Sequence, residues 1–228
     1  MHPETLPSYF IGNARVDSTL HRLYADALRV DPVARMAATG HGLQEGAPGF
    51  YAAMKGAYMP VTPDLGMLLY ALVRATAART VVEFGTSFGV SSIWMAAALR
   101  ENGGGRLVTA EMDSGKARRA ALNLAEAGVD PLIEIRTGPA EQTLAEGLPE
   151  SVDFLFLDGA KSLYLPVLQL IEPHLRRGAL IVADNTDMPE AQPLLEYTGR
   201  EAGGYRSAAL ATAALGATHP CRLLVRVG

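Results

Sequence analysis

Acidic and amide side chains follow two apolar runs in the second half of the chain. The first run ends in LDGAKSLY, which contains Asp158 and Lys161, and the second ends in ADNT, which contains Asp184 and Asn185. If these runs are neighbouring strands about 4.8 Å apart, the oxygens that follow them converge on one hard cation such as Mg²⁺. Each residue taken alone also fits a helix cap, a turn or a solvated surface position. The group as a whole predicts a divalent metal site with Asp158, Asp184 and Asn185 as ligands.

A second candidate site is the segment EFGTSFGVSS, residues 83–92. Gly85 and Gly89 allow a tight turn from strand to helix, and Ser91 is predicted to cap that helix, so that backbone N–H groups face a ligand. A plain strand-to-helix turn uses the same residues, so both interpretations stay open on this segment alone. The dinucleotide pattern has glycine at its first, third and sixth positions. Ser87 stands at the third position here, which argues against NAD as a cofactor.

An acidic residue also ends the next apolar run along the chain. Glu111 closes RLVTAE, and a carboxylate at that place suits the two hydroxyls of a ribose. A solvated carboxylate at a strand end is the alternative. Because Glu83 lies near the end of the preceding run, the pair is predicted to flank one nucleoside.

Five short apolar runs separated by helical stretches are expected to position these residues. They are TVVEF (80–84), RLVTAE (106–111), LIEIRT (132–137), VDFLFLD (152–158) and ALIVAD (179–184). The last two are continuous, as is typical of strands buried on both faces. With YRSAAL and CRLLVRV as two final strands, the last at the edge or inserted antiparallel, they predict an α/β fold with a doubly wound, mostly parallel seven-stranded sheet. Ligands of such sheets bind outside the carboxyl ends of the strands, where the candidate residues lie.

The region to about residue 49 is polar and rich in turns. One helix is predicted over 18–30, and the region is expected to form an N-terminal helical cap or lid. Thr62 and Pro63 predict the N-cap and first turn of a further helix with one apolar face. No linker divides the chain, so residues 1–228 are predicted to form a single domain, with 1–58 as its cap.

Composition narrows the classes of function. The formal net charge of −4 argues against nucleic acid as a partner, since phosphate binding needs clustered Lys and Arg. Cys221 is the only cysteine, which excludes an intramolecular disulfide and a cysteine-based metal cage. The first residues do not resemble a secretory signal, and the longest wholly apolar run, 93–99, is far shorter than the roughly 20 residues of a membrane helix, so a cytoplasmic location is expected. Lys55, Lys116 and Lys161 are the only lysines, which makes Lys161 beside the acidic pair more informative.

The motifs together resemble those of a known family. MPVTPDLG, EFGTSFGVS, VTAEMD, GPAEQ, FLDGAKSLY and IVADN occur in the order found in the cation-dependent class I S-adenosylmethionine (SAM) O-methyltransferases, the catechol and caffeoyl-CoA type and their bacterial relatives. The resemblance extends from about residue 59 to residue 185 and implies a Rossmann-like methyltransferase fold. It places SAM, as the methyl donor, against Met59, Val61, Glu83, Gly85, Ser91, Glu111, Ala140 and Asp158. It also implies Mg²⁺ or a similar cation on Asp158, Asp184 and Asn185, Lys161 as the catalytic general base, and a homodimer.

A small vicinal diphenol or similar chelating aromatic is the predicted methyl acceptor. A neutral phenol is a poor nucleophile, because its pKa of about 10 leaves little phenolate at neutral pH. A divalent cation bound by both oxygens of a diol stabilises the oxyanion, and a lysine beside it is suited to accept the proton. The methyl group would then pass from the sulfonium of SAM by in-line displacement. Tyr51, Lys55 and Tyr58 of the cap are predicted to contact the substrate.

Two other interpretations stay open. The segment GTSFG, 85–89, also matches the GxSxG nucleophile elbow of α/β-hydrolases, with Ser87 as nucleophile and Asp184 and His219 completing a triad. Against a serine esterase, the elbow follows the predicted first strand, the sequence shows no oxyanion-hole glycine cluster, and Lys161 is left without a role. The other alternative is a SAM-binding protein that has lost catalysis or that methylates without a metal.

Overall fold

A seven-stranded sheet forms the centre of the protein. The computed structural model describes residues 10–43, 48–200, 204–214 and 217–228, with the side chains at 48, 51, 213, 214 and 217–219 outside that description. The strand order is β3-β2-β1-β4-β5-β7-β6. The strands are β1 (Thr80–Phe84), β2 (Arg106–Glu111), β3 (Ile133–Thr137), β4 (Val152–Leu157), β5 (Leu175–Ala183), β6 (Tyr205–Ala214) and β7 (Ala217–Arg226).

The sheet is mixed rather than uniformly parallel. Strands β1 to β5 pair in parallel, as their alternation with helices predicts. Strand β7 runs antiparallel to both β5 and β6, so of the two positions considered for the last run the structure has the inserted one. Strand β5 begins at Leu175, four residues earlier than predicted. The prediction missed this part because the segment LRRG is mostly polar. That segment pairs with Val152 only across a register shift.

Helices cover both faces of this sheet. In the described part of the chain they are α1 (Ala14–Gly40), α2 (Pro48–Ala53), α3 (Pro63–Ala75), α4 (Val90–Glu101), α5 (Ser114–Ala127), α6 (Ala140–Thr143), α7 (Tyr164–Ile171) and α8 (Gln192–Thr198). Single 3₁₀ turns lie at Met54–Gly56, Asp130–Leu132, Lys161–Leu163, Glu172–His174 and Pro189–Ala191. None of the helices in the described ranges is long and apolar enough to cross a membrane.

Helix α1 is longer than its predicted range of 18–30 and continues through Pro32. A proline inside a helix removes one backbone hydrogen bond, so sequence rules favour a break there. Tertiary packing outweighs that preference, since Leu20 and Leu23 are fully buried and the helix packs against α4 and α5. The predicted cap therefore includes a helix that belongs to the main core. Residues 1–9 and 44–47 of the predicted cap lie outside the described ranges.

Helix α3 begins as predicted and packs closely on α4. The Thr62 side chain accepts a hydrogen bond from the Leu65 N–H at 3.1 Å, which confirms the N-cap. Gly66, on the buried face of α3, lies directly against the fully buried indole of Trp94. The indole Nε1 donates to the hydroxyl of Tyr24 at 3.2 Å, which ties α4 to α1. Three helices therefore meet at a position that has room only for glycine.

Replacing Gly66 by alanine is expected to lower the free energy of unfolding by about 1–3 kcal/mol, the usual cost of overpacking a core. A Cβ atom at this position would lie 2.3 Å from Trp94 Nε1, so the indole would have to move away from Tyr24. Urea unfolding checks the prediction. Gly40→Ala is the control, because no atom lies within 4 Å of the Cβ position there. Equal stabilities of the two variants would contradict it.

The register of the parallel strands brings their carboxyl ends to one level. Phe84 of β1 pairs with Ala110 of β2 and with Leu157 of β4, and Leu157 pairs in turn with Ala183 of β5. The residue that follows each of these four positions is Gly85, Glu111, Asp158 or Asp184. The sheet therefore presents three acidic residues and a glycine turn along a single edge.

Candidate active site

Two carboxylates lie side by side at the carboxyl ends of β4 and β5. Asp158 and Asp184 directly follow a pair of residues that are partners in the sheet. The Nζ of Lys161 lies 3.1 Å from Asp158 Oδ1, and the Lys161 side chain is buried. Burial raises the pKa of Asp158 to about 7; the Lys161 ammonium opposes this shift and the charge of Asp184 adds to it. A cation held between the two carboxylates would favour their ionised forms.

The second carboxylate is oriented by the C-terminal strand. The Cys221 thiol donates to Asp184 Oδ1 at 3.2 Å, and the Tyr164 hydroxyl donates to the Asp184 backbone carbonyl at 3.0 Å. Burial, and then the Asp184 carboxylate, raise the pKa of the Cys221 thiol, so that it stays protonated and donates. Sequence reasoning used Cys221 only to exclude a disulfide and a cysteine-based metal cage, and missed this contact. The insertion of β7 beside β5 creates it, and no local motif signals it.

The oxygen donors at this edge fit a hard divalent cation in type. They are the carboxylates of Asp158 and Asp184 with the amide of Asn185, which follows Asp184 in the left-handed backbone region at φ 49°. The hydrogen bonds to the two aspartates are both accepted by Oδ1, so the Oδ2 atom of each remains available to coordinate a cation. Within the described ranges, no group of three or more His, Cys, Asp or Glu side chains is arranged to hold a metal. A cation would therefore need the amide, together with water and substrate oxygens, to complete its shell.

Glu83 is a fully buried carboxylate that receives three hydroxyl groups. Ser91, Ser92 and Thr109 all donate to it, Thr109 at 2.7 Å. Burial raises the pKa of Glu83, and the three hydroxyls act in the opposite direction. The prediction that Ser91 caps helix α4 is wrong, because Gly89 is the N-cap and Ser91 lies in the first turn. Its hydroxyl donates to the buried carboxylate instead of accepting a hydrogen bond from an N–H group at the start of the helix.

Gly85 lets the end of β1 pass close to the end of β4. Its φ of +107° is a conformation that side-chain-bearing residues rarely adopt. A Cβ atom there would lie 2.5 Å from the backbone oxygen of Asp158. The glycine in this turn is therefore required both by the backbone angle and by the approach of Asp158.

Gly85→Ala is expected to cost about 2–6 kcal/mol of stability, the sum of backbone strain and overpacking. Gly104→Ala provides a matched control, since Gly104 has φ +102° but no atom within 4 Å of its Cβ position. The difference between the two variants in thermal or urea unfolding measures the steric contact with the backbone of Asp158 and Gly159. Equal losses would show that only the backbone angle matters.

Glu111 organises the turn after β1 as well as its own. Its Oε2 accepts the Ser87 N–H at 2.8 Å, and its Oε1 accepts the Asp113 N–H at 2.9 Å. Each carboxylate oxygen keeps a further lone pair, so both remain able to accept a hydrogen bond from a ligand hydroxyl. Lys116, which sequence reasoning left without a role, points its Nζ at the Ser87 hydroxyl at 3.4 Å. The only sequence signal for Lys116 was that lysine is rare in this chain.

The remaining residues predicted to contact SAM are Met59, Val61 and Ala140. Met59 is half-buried with a positive φ of 43°, and Val61 is buried. Ala140 is buried at the start of α6, just after β3. The Gly138 N–H donates to the Glu111 backbone carbonyl at 2.9 Å, so the turn before Ala140 lies beside the end of β2. The structure thus groups Glu111, Met59 and the α6 turn on the β2 side, and the aspartates on the β4–β5 side.

The three residues predicted to contact substrate from the cap are in different surroundings. The Tyr58 ring stacks on Phe88 at 4.3 Å, and its hydroxyl donates to Asp26 at 3.3 Å, so this side chain is engaged inside the protein. Lys55 is exposed, and its charge is one of those that lower the pKa of Asp113. The side chain of Tyr51 lies outside the described residues.

The serine-hydrolase interpretation gains no support from the geometry. The Ser87 hydroxyl donates to the Tyr58 backbone carbonyl at 3.0 Å, and Ser87 has a positive φ of 46°. Asp184 follows β5 and Ser87 follows β1, and β4 lies between these two strands. The His219 side chain is among those outside the described residues. Ser87 and Asp184 therefore make other hydrogen bonds, at the ends of two strands that are not neighbours.

Known proteins resemble this chain over most of its length. A family model described as a methyltransferase domain matches residues 82–186. The catechol O-methyltransferase of Niastella koreensis is 34% identical over 176 residues, which cover 76% of this chain and 75% of that protein. The catechol O-methyltransferase of Mycobacterium tuberculosis is 37% identical over 137 residues, covering 59% of this chain and 61% of that protein.

Solved structures show the same arrangement. The O-methyltransferase from Bacillus cereus in complex with SAH superposes with a TM-score of 0.70 at 25% identity, covering 92% of this chain and 91% of that one. The O-methyltransferase TomG from Streptomyces achromogenes, in complex with SAM and involved in tomaymycin synthesis, has a TM-score of 0.68 at 28% identity, covering 93% and 91%.

The strand order, the glycine turn after β1 and the acid at the end of β2 define a class I methyltransferase fold. At this level of similarity the class narrows to one family. The chain belongs to the SAM-dependent O-methyltransferases of the catechol O-methyltransferase type.

Proposed function

We propose that this enzyme transfers the methyl group of SAM to one hydroxyl of a small aromatic vicinal diol, with help from a divalent cation. The observation that carries the proposal is the pairing of Asp158 and Asp184 at the ends of adjacent strands, with buried Lys161 3.1 Å from the first. The two related proteins named catechol O-methyltransferases favour the same substrate class. By the family resemblance we also propose a homodimer, which light scattering would test.

The β2 side of the sheet edge is proposed to bind SAM. Glu111 would accept hydrogen bonds from the ribose hydroxyls with the lone pairs that its backbone contacts leave. Ala140 would lie against the adenine, and Met59 and Val61 would line the donor. Gly85 would allow close approach of the backbone, while Glu83 and Ser91, which bond to each other, would support the amino-acid end.

The β4–β5 side is proposed to bind the acceptor. Asp158, Asp184 and Asn185 would hold Mg²⁺ or a similar cation, with Asp158 also next to SAM. When bound, such a cation stabilises the negative charge that develops on the substrate oxygen. Lys161 in its neutral form would take the phenolic proton on its Nζ, which burial beside Asp158 holds at the reacting edge. The fixed strand ends would hold donor and acceptor in line.

Transfer of labelled methyl from SAM to a matched set of phenols tests the proposal. Catechol has adjacent hydroxyls, resorcinol has separated ones, and phenol has one. We expect methylation of catechol that is lost with EDTA and restored by Mg²⁺. Activity that survives chelation would remove the metal from the mechanism, and equal rates on resorcinol would exclude recognition of a vicinal diol.

A further inference from the structure

Asp31 of helix α1 binds two consecutive backbone N–H groups outside its own helix. Its Oδ1 accepts the Tyr58 N–H and its Oδ2 accepts the Met59 N–H, each at 2.7 Å. Both carboxylate oxygens are used, and both distances are short for a nitrogen donor. We infer that Asp31 is a positioning residue for the SAM site, acting through the backbone of Tyr58 and Met59.

The backbone held by Asp31 has a conformation that it would not adopt readily by itself. Met59 has φ 43°, in the left-handed region, where a residue with a side chain is disfavoured. Such a conformation persists where surrounding contacts enforce it. The two hydrogen bonds to Asp31 contribute to that enforcement, since they fix the peptide planes on both sides of Tyr58 and so the direction in which the chain enters Met59.

The segment held by Asp31 is in direct contact with the turn that carries the SAM site. The Tyr58 carbonyl accepts the Ser87 hydroxyl at 3.0 Å, and the Tyr58 ring stacks on Phe88. The Ser87 N–H in turn donates to Glu111 at 2.8 Å. A continuous set of contacts therefore runs from Asp31 through Tyr58 and Ser87 to the carboxylate proposed to bind ribose.

This inference rests on the proposed placement of SAM against Met59 and Glu111. If that placement holds, α1 completes the donor site from outside the sheet, and loss of the Asp31 contacts would weaken SAM binding without touching the reacting atoms. The effect would fall on the KM for SAM, while kcat at saturating SAM would change little. A residue that only stabilised the fold would not produce this split.

The test compares Asp31→Asn with Asp17→Asn. Asp17 is a carboxylate of the same helix that also accepts two consecutive backbone N–H groups, those of Ile11 and Gly12, each at 3.0 Å. It lies 14 residues away, about 21 Å along the helix. Asparagine keeps the shape of each side chain but turns an N–H₂ group towards one of the two donors. Calorimetric titration with S-adenosylhomocysteine (SAH), KM for SAM and thermal unfolding are measured for both variants.

We expect Asp31→Asn to weaken SAH binding about 10-fold or more, the usual effect of losing a hydrogen bond to a charged group. Asp17→Asn should leave SAH affinity unchanged even if it unfolds at a lower temperature. A double-mutant cycle with Met59→Gly tests the route, because glycine adopts positive φ without strain. The loss caused by Asp31→Asn should be smaller in the Met59→Gly background than in the native one.

Each remaining outcome contradicts a defined part of the argument. Equal weakening by Asp31→Asn and Asp17→Asn would reduce Asp31 to a general stabilising role and overturn the inference. Unchanged SAH affinity for Asp31→Asn, while Glu111→Ala weakens it, would overturn the inference and leave the proposed function intact. Unchanged affinity for Glu111→Ala as well would overturn the proposed placement of SAM and the inference together.

Discussion

Replacing Lys161 by methionine is expected to lower kcat by about 10²–10⁴-fold, the range found for removal of a general base. Affinity for SAH should stay near that of the native enzyme, because the lysine lies beside Asp158 at the β4–β5 end of the site rather than beside Glu111. Methionine has a similar length and fills the buried space, so the change removes the amine without leaving a large cavity. Single-turnover rates with catechol and SAM are the direct measurement.

Lys161→Arg distinguishes a role of the lysine in proton transfer from a role of its positive charge alone. Arginine keeps the positive charge beside Asp158 but does not give up its proton at accessible pH. A base role therefore predicts that Lys161→Arg is nearly as slow as Lys161→Met, whereas an electrostatic role predicts substantial recovery. The exposed neighbour Ser162 supplies a control, and Ser162→Ala should turn over at the native rate. Native turnover in Lys161→Met would exclude the proposed general base.

Asp184→Asn is expected to lower methyl transfer by about 100-fold or more, since loss of a group that merely orients a metal ligand already costs about 10–100-fold. The amide has the shape of the carboxylate and still offers an oxygen to the Cys221 thiol, so the fold should be preserved. What it lacks is the negative charge that attracts a cation. The Mg²⁺ concentration for half-maximal activity should therefore rise, while SAH binding should not change.

Asp187→Asn is the matched control for this experiment. Asp187 lies three residues further along the same loop and is exposed, and it is not one of the proposed ligands. Removing its charge should leave the Mg²⁺ dependence of activity where it was. The same shift in both variants would mean that the loop charge in general attracts the cation. An unshifted Mg²⁺ dependence in Asp184→Asn would remove this residue from the metal site.

Local patterns were sufficient for the elements that carry strong periodicity. The strands β1 to β4 lie within one residue of the predicted runs, because short apolar runs set off by turn residues and helical stretches leave few alternative structures. The cap at Thr62 was equally local, since a hydroxyl and the N–H three residues later decide it. Patterns failed where packing opposes local preference, as at Pro32 inside α1 and in the polar start of β5.

The candidate site divides along the same line. The acids, glycines and lysine that follow the strands could be predicted from local patterns, because parallel strands bring successive strand ends to one edge whatever the loops between them do. The sequence also determined the family, through the order of its motifs. The tertiary structure alone decided the contacts between distant segments: Cys221 with Asp184, Ser91 with buried Glu83, and Asp31 with the backbone at Met59. These depend on where β7 inserts and how α1 packs, and such placement is set by burial summed over the whole core rather than by any short stretch of residues.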